Sequence, residues 1–140
     1  MRFIYSLFIL LFISGCSSMS NGEINRLSRD IKNSPNSIVK KEITTTAPYK
    51  EAFLATASVF HDLSISILNK DFDGKEMLAI DWGAQKLLSN GGSSRYLVSF
   101  KESSGLTIIS ISALPLKYNF DVDFVLERIQ KEIALGNKLK

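Results

Sequence analysis

Few side chains in this sequence are suited to catalysis, and those few stand apart from one another. Cys16 is the only cysteine among the 140 residues, and His61 is the only histidine. Asp62 follows His61, but adjacent residues on a helix do not face each other, so the pair does not form an oriented base. No serine stands in a nucleophile-elbow sequence. We therefore expect no catalytic residues and predict that the protein is not an enzyme.

The acidic segment "DFDGKE" is the other candidate for chemistry. Asp71, Asp73 and Glu76 place three carboxylates around Gly74. A calcium site needs about six to eight oxygen ligands, and this segment lacks the third acid that a calcium loop places before its glycine. An Asp-Gly turn between two strands explains the same residues. We predict a hairpin turn here, no metal site, and no cofactor.

The N-terminus has the layout of a secretory signal peptide. Arg2 precedes the apolar run "FIYSLFILLFISG", which ends in small residues. This run is shorter than the roughly 20 residues that a permanent membrane-spanning helix requires. Its large apolar side chains would cover every face of a helix, which does not suit a half-buried core helix. We predict that residues 1–15 are a cleaved signal peptide.

The end of this segment, Ile13-Ser14-Gly15-Cys16, resembles the lipobox of bacterial lipoproteins. The resemblance implies that the Cys16 thiol is diacylglycerylated, that the signal peptide is removed before Cys16, and that the new α-amine is acylated. Two or three acyl chains anchor a protein stably. Ser17, rather than an aspartate, follows the cysteine, which by analogy with enterobacterial sorting favours the outer membrane, with the domain facing the periplasm or the cell surface. An ordinary signal peptide with a chance cysteine, or an uncleaved anchor, is the alternative.

The composition of the predicted mature chain, residues 16–140, fits a single domain. Once Cys16 is lipidated, no cysteine is left for a disulfide. Without Arg2 the chain keeps 16 Lys and Arg against 14 Asp and Glu, a net charge of +2. So small an excess does not favour nucleic acid as a partner. The expected partners are the membrane, through the lipid, and an envelope protein.

Patterning divides the mature chain into a tether and a domain. Residues 16–37 are rich in Ser, Asn and charge, which predicts a lipidated N-terminus and flexible tether. Ile24, Leu27 and Ile31 recur at helical spacing and permit a short helix there. Residues 38–136 form the predicted single domain, and residues 137–140 a basic tail.

Hydrophobic periodicity predicts an α+β domain with the element order β-α-β-β-β-β-α. The first helix is expected to begin with Thr46 as its N-cap and Pro48 in its first turn, and the last helix to end at Gly136 as a C-cap. Strands that meet in hairpins imply a mostly antiparallel sheet, with the two helices packed on one face. The other face carries several polar residues and is expected to meet water or a partner. Residues expected to alternate inward are Tyr96, Val98, Phe100, Ile109, Ile111 and Ala113.

Three segments are similar to the domains of the lipoprotein C subunit of the β-barrel assembly machinery (BamC). These are "YKEAFLATASVFHDLSISI", "DFDGKE" and "LAIDWG". In that family a helix with an aromatic residue near its start is followed by a short strand, an Asp-Gly turn and a strand with aromatics. The resemblance implies a helix-grip-like fold. This chain has room for one such domain where that subunit has two, and its N-terminal region is shorter.

Taken together, these features predict a membrane-anchored, non-enzymatic scaffold or binding protein of the cell envelope. Trp82, Leu87 and Leu88 lie in or beside the loop 84–94, where nothing in the fold demands apolar residues, so we expect them to contact a protein partner. The alternative is a periplasmic carrier of a small apolar ligand or lipid. A carrier would have a pocket of several hundred cubic ångströms lined by Phe53, Phe60, Val98 and Ile111.

Overall fold

Three helices and five strands make up the described part of the chain. The structure is a computed structural model that describes residues 20–33, 39–81, 94–114 and 121–138. In chain order the elements are α1 (Asn21–Lys32), β1 (Val39–Thr45), α2 (Tyr49–Asp62), β2 (Ser66–Asp71), β3 (Glu76–Asp81), β4 (Ser94–Ser103), β5 (Leu106–Leu114) and α3 (Val122–Lys138).

The strands form one antiparallel sheet in the order β1-β5-β4-β3-β2. The predicted α+β class, the antiparallel sheet and the element order of the domain are confirmed. β4 and β5 form the central hairpin, in which Val98 lies opposite Ile111 and Phe100 opposite Ile109. These side chains are buried on one face, as their alternation along the strands predicted.

Both α2 and α3 pack on this face, which confirms the predicted position of the two helices. Their buried stripes meet the inward residues of β3, β4 and β5 in one hydrophobic cluster. The helices supply side chains at helical spacing, so a single stripe of each helix faces the sheet. The largest fully buried members of the cluster are Tyr96, Phe60, Met77, Ile109, Ile111 and Ile129.

The other face of the sheet carries α1, which occupies much of the segment predicted as a flexible tether. Ser20 caps this helix by accepting a hydrogen bond from the Glu23 backbone N–H at 3.3 Å, and the Glu23 side chain accepts from the Ser20 backbone N–H at 2.9 Å. Ile31 is buried against Leu78 and Leu97, which alternate with the residues of the main cluster and so face the opposite side. Fully burying an isoleucine contributes about 1.5–3 kcal/mol. A 12-residue helix that is marginal alone is therefore stabilised by the sheet.

Two predicted helix ends differ from the structure. The residue at the N-cap of α2 is Pro48, not Thr46, and it makes no side-chain capping hydrogen bond. Instead the Thr45 hydroxyl accepts a hydrogen bond from the Ala47 backbone N–H at 3.1 Å. This bond stabilises the turn that precedes the helix. Gly136 does not end α3, which continues to Lys138. A glycine at an exposed helical position costs only about 1 kcal/mol relative to alanine, so a helix can run through it.

Candidate interaction surface

The residues predicted from the sequence to carry the anchor and the partner contact lie outside the described residues. These are the signal peptide 1–15, Cys16, Trp82, Leu87 and Leu88. Asp81 and Ser94, the described residues that flank the segment 82–93, are both buried. The lipidation of Cys16 and the contact role of Trp82, Leu87 and Leu88 therefore stay predictions.

The acidic segment forms the predicted hairpin turn between β2 and β3. The Asp71 carboxylate accepts a hydrogen bond from the Gly74 backbone N–H at 2.7 Å. Glu76 pairs with Lys32 of α1, Nζ to Oε1, at 2.8 Å. Two of the three carboxylates therefore hold backbone or side-chain groups of the protein. Within the described ranges, no group of three or more His, Cys, Asp or Glu side chains is placed to hold a metal ion.

His61 lies at the end of α2 with 91% of its side chain exposed. Its Nδ1 atom is 3.8 Å from the Asp62 carboxylate, the neighbour in sequence. The open cleft beside it, about 500 Å³, is lined by His61 and Lys70 together with Ser and apolar residues, and no carboxylate lines it. The histidine is therefore not part of a desolvated acid–base pair.

The four residues expected to line a carrier pocket belong to the packed core. Phe53, Phe60, Val98 and Ile111 are all buried within the cluster between the helices and the sheet. The two cavities known from the described residues lie elsewhere, at the end of α2 and between α2 and α3.

A groove between α2 and α3 forms a mostly apolar opening on the described surface. Its volume is about 300 Å³, and it is lined by the buried Ala55 and Ile133 and by Gly136, which has no side chain to fill it. Leu54, which lines the groove, is 57% exposed. Leu135, also on α3 and next in sequence to Gly136, is 56% exposed.

Polar residues define the ends and rim of this groove. The Ser58 hydroxyl donates a hydrogen bond to the Glu132 carboxylate at 3.3 Å, which ties the two helices together. Glu51 and Glu132 give the lining two carboxylates and no basic side chain. The groove thus combines an apolar floor with an acidic rim, which suits an apolar side chain flanked by Lys or Arg.

An aromatic cluster lies at the end of the sheet that carries the turns β2–β3 and β4–β5. The rings of Tyr49, Phe53, Phe72 and Phe100 have centroids 4.9 to 5.8 Å apart in their contacting pairs. The Tyr49 hydroxyl donates to the Phe72 carbonyl, and Lys75 Nζ lies 5.1 Å from the Tyr49 ring centroid. Burial, and then the charge of Asp71, raises the pKa of Tyr49. Phe72 remains 43% exposed, so this cluster is a second partly apolar surface.

Leu54 and Leu135 were not among the sequence-based candidates, although a signal for them exists. Leu54 follows Phe53 and Leu135 lies two residues after Ile133, so each stands outside the buried stripe of its helix. A large apolar residue at a position that periodicity assigns to solvent indicates a contact surface.

Comparison with known proteins adds little to these observations. No family model matches this chain, and no curated protein matches it. Among solved structures, the protein TTHA0849 from Thermus thermophilus is similar over 71% of this chain and 98% of its own, with 8% identity and a TM-score of 0.42. Ara h 8.0201 is similar over 70% of this chain and 97% of its own, with 13% identity and a TM-score of 0.39. Similarity at this level does not bear on function.

None of the helices in the described ranges is both long enough and apolar enough to cross a membrane.

Proposed function

We propose that this protein is a lipoprotein anchored through Cys16, in the outer membrane, whose domain binds a protein of the cell envelope without catalysing a reaction. The lipobox-like sequence Ile13-Ser14-Gly15-Cys16 supports the anchor. The groove between α2 and α3 is the single observation that carries the binding role, because it exposes Leu54 beside an apolar floor, and the exposed Leu135 precedes the lining residue Gly136 in α3.

The chemistry of the groove defines the partner that would fit it. The groove is open at the surface, and its volume of about 300 Å³ accommodates apolar side chains of a partner protein. Glu51 and Glu132 favour a basic residue beside them. The proposed partner therefore presents an apolar side chain flanked by Lys or Arg, on a helix or an extended segment.

The carrier alternative receives no support from the described residues. Its four expected lining residues are packed against one another, and the cavities known there are open surface grooves with other linings. A binding role at the helix surface requires no internal pocket.

The anchor is tested by feeding cells an alkyne-tagged fatty acid and detecting it on the protein. We expect label on the wild-type chain and none on Cys16→Ala. Equal labelling of the two chains, or no labelling of either, would contradict lipidation at Cys16.

The binding role is tested by photo-cross-linking in cells. A photoreactive residue at position 54 or 135 is expected to capture one envelope protein, and the same residue at position 134, exposed on another side of α3, is not. Gly136→Trp should abolish capture from position 54, since a side chain at 136 enters open space in the groove. Ala134→Trp is the matched control and should leave it intact. Recovery of the uncross-linked chain alone, in good yield, would contradict the proposal.

A further inference from the structure

The position of α1 has a consequence for how the domain would sit on a membrane. If residues 16–37 were an unstructured leash, about 22 residues of extended chain could reach roughly 75 Å from the lipid. With α1 docked on the sheet, only residues 17–19 separate Cys16 from Ser20, and this length of chain spans at most about 15 Å whatever its conformation.

The direction of α1 across the sheet follows from the contact of its last residue and from the extent of the apolar cluster beneath the helix. Lys32, its last residue, pairs with Glu76, the first residue of β3, beside the β2–β3 turn. Leu114 is the last residue of β5 and lies at the opposite end of the sheet. It packs against the buried cluster that Ile31 of α1 forms with residues of β3 and β4. The first turn of α1 therefore lies toward the end where β5 finishes, and its last turn toward the end of the β2–β3 turn.

We infer that α1 mounts the domain on the membrane in one orientation, with the end of β5 near the lipid surface and the turns β2–β3 and β4–β5 pointing away. This rests on the proposed anchor at Cys16. In this orientation the short leash holds Ser20 next to the bilayer, while Phe72 and the aromatic cluster are presented at the far end of the sheet.

The proposed orientation depends on the docking of α1 on the sheet, and the contact that holds this helix is small. Ile31 is the one fully buried residue of the helix, and the pair Lys32–Glu76 is a surface ion pair. Release of α1 would restore the long leash and remove the fixed orientation. A substitution at Ile31 therefore disturbs the docking of α1 while leaving the lipid attachment at Cys16 unchanged.

Because Cys16 is the only cysteine, the anchor can be imposed chemically and the orientation measured by energy transfer. The chain from residue 16 is joined through Cys16 to a maleimide lipid in vesicles that contain an acceptor lipid. A donor dye is placed on an azide-bearing residue at Lys40 or at Ser103, both exposed. Lys40 pairs with Ser112 and Ser103 with Leu106, so the two sites lie about 20 Å apart along β5.

We expect several-fold more transfer from position 40 than from position 103. Ile31→Asp should release α1, so that energy transfer from the two positions becomes equal. Lys32→Glu places a second negative charge beside Glu76 and should reduce the difference in transfer between the two positions. Asn25→Asp, which adds a negative charge at an exposed position of α1, should leave it unchanged. Circular dichroism of each variant verifies that the domain is folded.

Equal transfer from the two positions in the wild-type chain would overturn the inference, as would a difference that persists unchanged in both Ile31→Asp and Lys32→Glu. Since the lipid is attached chemically, this result is independent of acylation in cells. Absence of the fatty-acid label in cells would remove the proposed anchor and leave the vesicle measurement valid for the mounting by α1.

Discussion

The hydroxyl of Thr107 lies 2.8 Å from the carbonyl oxygen of Ala47 and donates a hydrogen bond to it. Both residues are buried. This bond joins the start of β5 to the segment between β1 and α2, where the helix begins without a side-chain cap. It satisfies a buried backbone carbonyl, which makes it more consequential than the ion pairs on the surface.

Thr107→Val is expected to lower the free energy of unfolding by about 1–3 kcal/mol, because the Ala47 carbonyl would stay buried without its donor. Valine keeps the shape and the β-branched backbone preference of threonine. Urea unfolding followed by circular dichroism measures the change. Thr107→Ser keeps the hydroxyl and should cost less than valine. A valine variant as stable as wild type would show that the hydrogen bond contributes nothing.

Gly74 and Asp71 are expected to be energetically coupled. A Cβ atom on residue 74 would lie 2.2 Å from the Asp71 carboxylate, which must move and give up its hydrogen bond to the Gly74 N–H. Gly74→Ala should therefore destabilise the protein by about 1 kcal/mol. In an Asp71→Ala background the same substitution should cost less, since the clash is gone. Urea unfolding of wild type, both single variants and the double variant gives the coupling, and additive costs would contradict it.

Gly136→Ala and Gly105→Ala are expected to act in opposite directions. An added Cβ meets no atom within 4 Å at either position. Gly136 is helical, so alanine should stabilise the protein by about 0.5–1 kcal/mol. Gly105 has φ of +78° in the β4–β5 turn, where alanine should cost about 1–2 kcal/mol. Thermal unfolding measures both. The same sign for the two variants would refute the backbone explanation.

Tyr96 is expected to make stability depend on pH in the alkaline range. Burial, and then the charge of Asp81, raises the pKa of Tyr96 to about 12, whereas a tyrosine in the unfolded chain titrates near about 10. Between these values the unfolded state binds fewer protons than the folded state, so the free energy of unfolding falls as pH rises. The stabilisation is fully present below about pH 10 and is lost by about pH 12.

This dependence is measured by urea unfolding from about pH 9 to about 12. Tyr96→Phe should flatten the decline, since phenylalanine has no proton to lose. Tyr49, whose pKa burial also raises, should keep a smaller slope in that variant. An unchanged slope in Tyr96→Phe would show that Tyr96 does not titrate in this way.

The domain was predictable where local patterns agree with tertiary contacts. Tyr96, Val98 and Phe100 alternate with more polar neighbours, and the sheet buries them as the period of two requires. The Asp-Gly turn after β2 is equally local, because Asp71 bonds to a backbone N–H three residues later. Helix ends were less predictable. Thr46 and Gly136 are residue types that often cap helices, but this preference is weaker than the effect of the surrounding packing.

The docking of α1 and the groove depend on contacts between distant parts of the chain. Ile24, Leu27 and Ile31 show the helical period, yet the sequence does not reveal that Leu78 and Leu97 provide the surface that stabilises it. Leu54 is visible as an apolar residue outside the stripe, but its relation to Gly136 requires the packing of α2 against α3. The role of Trp82, Leu87 and Leu88 stays a prediction.

The pairing of β1 with β5 sets the order in which this chain can fold. Val39 pairs with Ala113, so among the described strands the first along the chain has the last as its neighbour. A chain that emerges N-terminus first, from a ribosome or through a translocation channel, cannot complete its sheet until β5 has emerged. The long loop that must close makes this pairing slow compared with the hairpins β2–β3 and β4–β5. Such a topology keeps the sheet of a partly synthesised chain open until β5 is available.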